Sequence, residues 1–138
     1  MRYRYLLALL TMALTVSALA ANCGPSQPAA TPTSAVPTMG QLAQSGQALF
    51  AVRCAKCHGE KGEGFTGPAI IGSNAQLGKY NTAQGLRDFI GIAMPLDAPG
   101  SLSNEQYQQL LCFVLLRNNL VSSGTPFSPD RLGIVSLK

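Results

Sequence analysis

Cys54-Ala55-Lys56-Cys57-His58 is the stretch on which the reading of this chain turns. Two cysteines one helical turn apart can reach the same edge of a porphyrin, where their thiols add to the vinyl groups and leave thioether bonds. The histidine that follows at once lies under the iron as an axial ligand, so the pattern reads as a covalent haem attachment site. A C-x-x-C pair alone also fits a thioredoxin-like redox couple or half of a zinc site. What decides between them is whether the remaining chain supplies what a haem needs.

Upstream, residues 1–22 read as an export signal. Arg2 and Arg4 precede an apolar run from Leu6 to Val16, and small residues follow. The run is shorter than the ~20 residues of a membrane-spanning helix. Cys23 stands where an exported lipoprotein carries its lipid, although Ala20 and Asn22 depart from the usual flanking residues; Ala18-Leu19-Ala20 also fits an ordinary cut. Residues 23–39, rich in Pro, Ser, Thr and Ala, form an extended tether. A lipid cysteine followed by a tether is a coherent arrangement. We therefore expect lipidation at Cys23 and a domain held in the periplasm or at the outer face of the cytoplasmic membrane. That domain spans 40–138, with a tail from about residue 120.

The chain has 138 residues and a formal charge of +4. Without Arg2 and Arg4, eight basic residues stand against six acidic ones, and two haem propionates bring the sum near zero. No basic patch with interleaved aromatics occurs, which excludes nucleic acid as a partner. Of the four cysteines, Cys54 and Cys57 go to the haem and Cys23 to the lipid. Cys112 is left as a small buried hydrophobe. A Cys23–Cys112 disulfide would tie a tether to a helix interior and is disfavoured.

Helical spacing dominates the domain. Leu42, Gly46, Leu49, Phe50 and Arg53 share one face that runs into the haem motif. Gly46 on that face points to close approach of another backbone. After His58 come Gly59, Gly62, Gly64, Gly67 and Gly72, loop chemistry with no phosphate-cradle pattern. A metal-bound histidine gives its second ring N–H to a carbonyl or carboxylate, and the turn at Pro68 can supply that carbonyl. Ile70 and Ile71 are expected to pack on the porphyrin. Thr82 caps a helix from Ala83 to Ala93 whose apolar stripe is Leu86, Phe89, Ile90 and Ala93. Met94-Pro95 stops it and places the Met94 thioether at a stiff corner. Met94 is the expected sixth ligand, because there is no other histidine and Met1, Met12 and Met39 lie in the signal or at the linker end. Ser103 with Gln106 forms a capping box for the last helix, which is apolar throughout from Leu110 to Leu116 and must be covered on more than one side. The tail from Thr125 to Leu137 folds back over it or leaves a partner site, and Ser128-Pro129 reads as the cap and first position of a short helical turn. Strand signals are weak.

Taken together, Gly46 and Phe50, Cys54-Ala55-Lys56-Cys57-His58-Gly59, Gly67-Pro68, Met94-Pro95 and the aromatic-aliphatic final helix resemble the class I cytochromes c, over roughly residues 40–119. The resemblance implies an all-α fold in which N- and C-terminal helices cross and a middle helix and loops cover the haem. It implies one covalent haem c, with thioethers at Cys54 and Cys57, iron ligands His58 and Met94, and the Pro68 carbonyl accepting from His58. The stretch 93–119 is similar to bacterial monohaem cytochromes attached to membrane complexes or dehydrogenases, the monohaem subunit of alternative complex III among them. Lys56, Lys61 and Lys79 fall short of the lysine ring of mobile cytochromes.

His/Met ligation leaves no open iron position. The expected function is therefore one-electron transfer between redox partner proteins, within a membrane-bound respiratory or photosynthetic complex, with no catalytic residue and no small-molecule substrate. The alternative is a haem enzyme or gas sensor, which needs Met94 off the iron.

Overall fold

The computed structural model describes residues 36–138. The export signal, Cys23 and most of the tether lie outside the described residues.

Helix α1 (Met39–Arg53) begins one residue before the expected start, because Thr38 and Gln41 make a capping box. The Thr38 hydroxyl accepts from the Gln41 N–H at 3.3 Å and the Gln41 side chain accepts from the Thr38 N–H at 2.8 Å. These bonds satisfy N–H groups that a helix start leaves without partners. Met39 is consequently core rather than linker, at 4% exposure. A break at Cys54 separates α1 from the single turn α2 (Ala55–His58). Thr82 caps α3 (Ala83–Ala93) by accepting from Gly85 N–H, and Met94 ends it ahead of a cis Met94-Pro95 peptide. Ser103 and Gln106 form the expected box on α4 (Asn104–Arg117). Ser103→Ala removes that cap and is expected to lower stability by about 1 kcal/mol, read as a shifted midpoint in urea unfolding of the haem-loaded protein.

The terminal helices α1 and α4 share the largest contact in the domain. At their crossing, a Cβ added to Gly46 would fall 2.0 Å from the Gln109 carbonyl oxygen and 2.9 Å from Phe113 Cβ. The expected close approach of a second backbone is thus present. One turn on, the Phe50 and Phe113 rings meet at 5.2 Å between centroids. Leu110 through Leu115 are all buried, and each leucine, valine or phenylalanine among them stabilises by about 1.5–3 kcal/mol. Cys112 lies fully inside and donates to Met39 Sδ at 3.4 Å, and burial pushes its thiol up to about 12.

The tail folds back into the same hydrophobic core, and its helical turn packs against α3. Phe127, Leu132 and Leu137 are buried, and Pro129–Ile134 forms a 3-10 turn. Ser128 stands at its start without a side-chain hydrogen bond, so its hydroxyl does not act as the expected cap. Tail carbonyls serve two other helices instead. Ser123 and Thr125 accept from the first N–H groups of α1, and Val135 accepts from Ala83 at the start of α3. Phe127 N–H gives to the Pro37 carbonyl at 2.9 Å. Two isolated bridges, Thr38 with Pro126 and Thr82 with Ser136, are the sole β-type pairing among the described residues. The described residues otherwise form only helices and loops, as expected of an all-α fold. No helix among the described residues is long and apolar enough to cross a membrane.

Candidate haem site

The break at Cys54 and the single turn α2 aim Cys54, Cys57 and His58 into one cavity of about 880 Å³. Met94 reaches the same cavity from the end of α3. Leu86, Phe89 and Ile90 of α3 and Leu110, Leu111 and Val114 of α4 make most of the wall apolar. This explains why the α3 stripe is only partly buried: Ala83 and Leu86 are core, whereas Phe89 and Ile90 face the cavity.

The His58 ring is held from behind. Its Nδ1 lies 2.7 Å from the Pro68 carbonyl oxygen. A carbonyl only accepts, so Nδ1 carries the proton and Nε2 is left as the free ring nitrogen. Gly67 lies against this ring, where a Cβ would sit 3.2 Å from both Nδ1 and Cε1. Gly67 N–H gives to Cys57 O and Gly64 N–H to His58 O, each at 2.7 Å, so the glycine loop is fastened to the motif. Asn118, at the end of α4, bonds to the Ile70 carbonyl at 2.9 Å and accepts from Gly72 N–H at 3.1 Å.

Of the neighbouring isoleucines, Ile70 lines the cavity. Ile71 does not: its side chain packs over Gly62, with Cδ1 2.7 Å from where a Gly62 Cβ would be. Both backbone N–H groups bond to the Gly62 carbonyl, at 2.8 and 3.0 Å, and only the Ile70 side chain meets the cavity.

Met94 is held through its backbone at both ends. Its N–H gives to Ile90 O at 3.1 Å, and its carbonyl accepts from the Tyr107 hydroxyl at 2.8 Å. At the cavity mouth Lys56, between the two cysteines, pairs with Asp97 from the Met94 loop. Hydrogen bonding between them, then charge, holds the Asp97 carboxyl below and the Lys56 amine above their ordinary ranges. Both are exposed, so this tie contributes little to stability. Arg53 adds a bond to Ser101 Oγ at 3.3 Å.

Burial pushes the Cys54 thiol up to about 11, although nearby Arg53 pulls the other way. A thiol-redox cysteine needs the reverse, a depressed pKa that gives thiolate at neutral pH. Among the described residues no cluster of three or more His, Cys, Asp or Glu side chains is placed to hold a metal ion.

The family model described as cytochrome C oxidase, cbb3-type, subunit III matches residues 41–114, a span that holds the attachment motif and Met94. The chain belongs to this family of cytochrome c domains. Membership brings covalent haem c and an electron-transfer role. The chain is also 35% identical over 82 residues to thiosulfate dehydrogenase of Allochromatium vinosum, covering 51% of this chain and 29% of that protein. Its fold is similar to a chain of the sulfane dehydrogenase SoxCD from Paracoccus pantotrophus, with a TM-score of 0.59 and 26% identity, covering 77% of this chain and 61% of that one. Cytochrome cL from Hyphomicrobium denitrificans gives a TM-score of 0.49 at 20% identity, covering 80% of this chain and 73% of that one. The chain thus spans less than two thirds of both dehydrogenase chains.

The residues fit a haem c. The cavity is largely apolar, both motif cysteines reach it, and a histidine with its Nδ1 proton already committed stands beside them. Sequence reasoning missed Tyr107 and Asn118 as holders of this site. Tyr107 falls on an apolar helical stripe, and a tyrosine hydroxyl there must find a partner. That signal was present, though it does not say which carbonyl is met.

Proposed function

We propose that this chain passes single electrons through one haem c held between His58 and Met94, in a domain tethered to the outer face of the cytoplasmic membrane through Cys23. The observation that supports this reading is the gathering of Cys54, Cys57, His58 and Met94 around one apolar cavity. Cys54 and Cys57 would carry the thioether bonds. His58 would ligate through Nε2 with its ring orientation set by the Pro68 carbonyl, and Met94 through its sulfur. Ile70 would pack on the porphyrin, while Ile71 supports the loop behind it. When bound, the haem supplies a one-electron couple whose potential is raised by a thioether ligand and a low-dielectric pocket.

The protein's part is to hold both ligands fixed and keep water away. With both axial places taken by its own side chains, no position is left for a substrate. Electrons would enter and leave where the motif is exposed, near Lys56 and the exposed Leu96. Redox proteins are the partners that fit. The two dehydrogenases among the similar proteins make an oxidoreductase a fitting electron donor, and a tether keeps its carrier at high local concentration.

One preparation tests the whole reading. Intact mass of membrane-extracted protein should equal the chain from Cys23 plus a single haem and an acyl-bearing lipid group. The oxidised spectrum of that sample should show the sulfur-to-ferric-iron band. A mass without lipid removes the anchor, a second haem removes the count, and absence of the band at neutral pH removes Met94 as ligand.

A further inference from the structure

The Tyr107 hydroxyl makes a buried bond that links α4 to the proposed ligand residue. Tyr107 is 4% exposed, lines the cavity, and donates to the Met94 carbonyl at 2.8 Å. Leucine, valine or phenylalanine fills the other deeply buried large positions of α4. A buried hydroxyl costs stability unless paired, so its place here needs a reason.

Met94 supplies one. As the residue that ends α3, it lies past the last turn, where carbonyls lose helical partners. Pro95 follows and has no N–H to offer. With its N–H on Ile90 and its carbonyl on Tyr107, the Met94 peptide unit is fixed on both sides. A methionine side chain has three rotatable bonds and adapts easily, so its sulfur is only as well placed as the backbone it leaves from. Arg87 of α3 lies over the Tyr107 ring, 5.9 Å from its centroid, and hydrogen-bonds to Asn104 in the first turn of α4. The tyrosine is therefore clamped from the helix that ends in Met94.

We infer that Tyr107 is a positioning residue for the Met94 thioether: its hydroxyl fixes the Met94 backbone and so resists displacement of the sulfur by outside ligands. This rests on the proposal that Met94 ligates the iron.

The test is imidazole titration of the ferric, haem-loaded protein, since imidazole must displace Met94 to bind. Tyr107→Phe should bind imidazole about tenfold more tightly than wild type, a change of about 1.4 kcal/mol. In a Met94→Ala background the same substitution should leave imidazole affinity unchanged, because no sulfur remains to be positioned. Equal tightening in both backgrounds would mean general loosening of the pocket and would overturn the inference. No tightening in either background would also overturn it, while leaving Met94 as ligand. If Met94→Ala alone binds imidazole no better than wild type, the ligand assignment itself fails and the inference falls with it. Should Tyr107→Phe not mature, Arg87→Met takes its place. It keeps the hydroxyl, removes the cation over the ring, and should tighten imidazole binding about threefold, the factor that corresponds to an exposed cation–π contact. An unchanged affinity there counts against the inference.

Discussion

Met94→Ala protein will carry its haem still covalently bound, will bind carbon monoxide when reduced, and will have a lower reduction potential than wild type. Attachment survives because Cys54 and Cys57 make the thioether bonds and His58 stays in place, and the substitution removes none of these side chains. The potential falls because a thioether sulfur favours the ferrous state, and water or hydroxide in its place favours the ferric. Axial ligands account for a span of about 0.8 V among haem proteins, so loss of this one should lower the potential by on the order of 0.1 V or more. Equilibrium redox titration reads the shift, and the difference spectrum with carbon monoxide reads the opened position. Wild type is expected to bind carbon monoxide weakly or not at all. Equal binding by wild type and variant would show that Met94 does not close the site, and the chain would then read as a haem enzyme or sensor.

Much of this fold could be read from local residues because the deciding signals are local. Thr82 and Ser103 stand one residue before helices that begin where their side chains can accept from backbone N–H groups. Gly46 interrupts an apolar face, and an absent side chain at such a place marks a neighbour too near to admit one. The start of α1 was hidden by composition: Thr38 and Gln41 are an ordinary capping box, but Thr38 ends a proline-rich tract and reads as tether. What local pattern could not show is pairing across long stretches of chain. The Ser123, Thr125 and Val135 carbonyls complete helix starts at Met39 and Ala83, and a carbonyl has no residue type by which to recognise it. Asn118 and Tyr107 likewise meet backbone carbonyls of Ile70 and Met94. The cavity was therefore legible in the side chains that line it and obscure in the backbone groups that hold them. Ile70 and Ile71 show the same limit, since two identical neighbours give no hint of which turns inward.

Gly46→Leu should give little or no haem-loaded protein. The atoms a side chain would strike are the Gln109 carbonyl oxygen at 2.0 Å and its carbon at 2.5 Å, both backbone. A clash with a flexible side-chain end is relieved by a rotamer change, but relief here requires α1 and α4 to move apart. That separation loosens the Phe50–Phe113 contact and the buried leucines of α4 together. Overpacking in cores costs about 1–3 kcal/mol when the surroundings can adjust. The rigid obstacle here puts Gly46→Leu at or beyond the upper end, against a total of about 5–15 kcal/mol for a typical domain. Gly46→Ala is the sharper measurement because two effects oppose each other. Helix propensity alone makes alanine better than glycine by about 1 kcal/mol, whereas the approach of Gln109 makes even one methyl group too large. Urea unfolding of the haem-loaded Gly46→Ala protein should show a lower midpoint than wild type. A higher midpoint would mean that the helices part cheaply, and the tight crossing of α1 and α4 would lose its role in setting the cavity that Leu110, Leu111 and Val114 line.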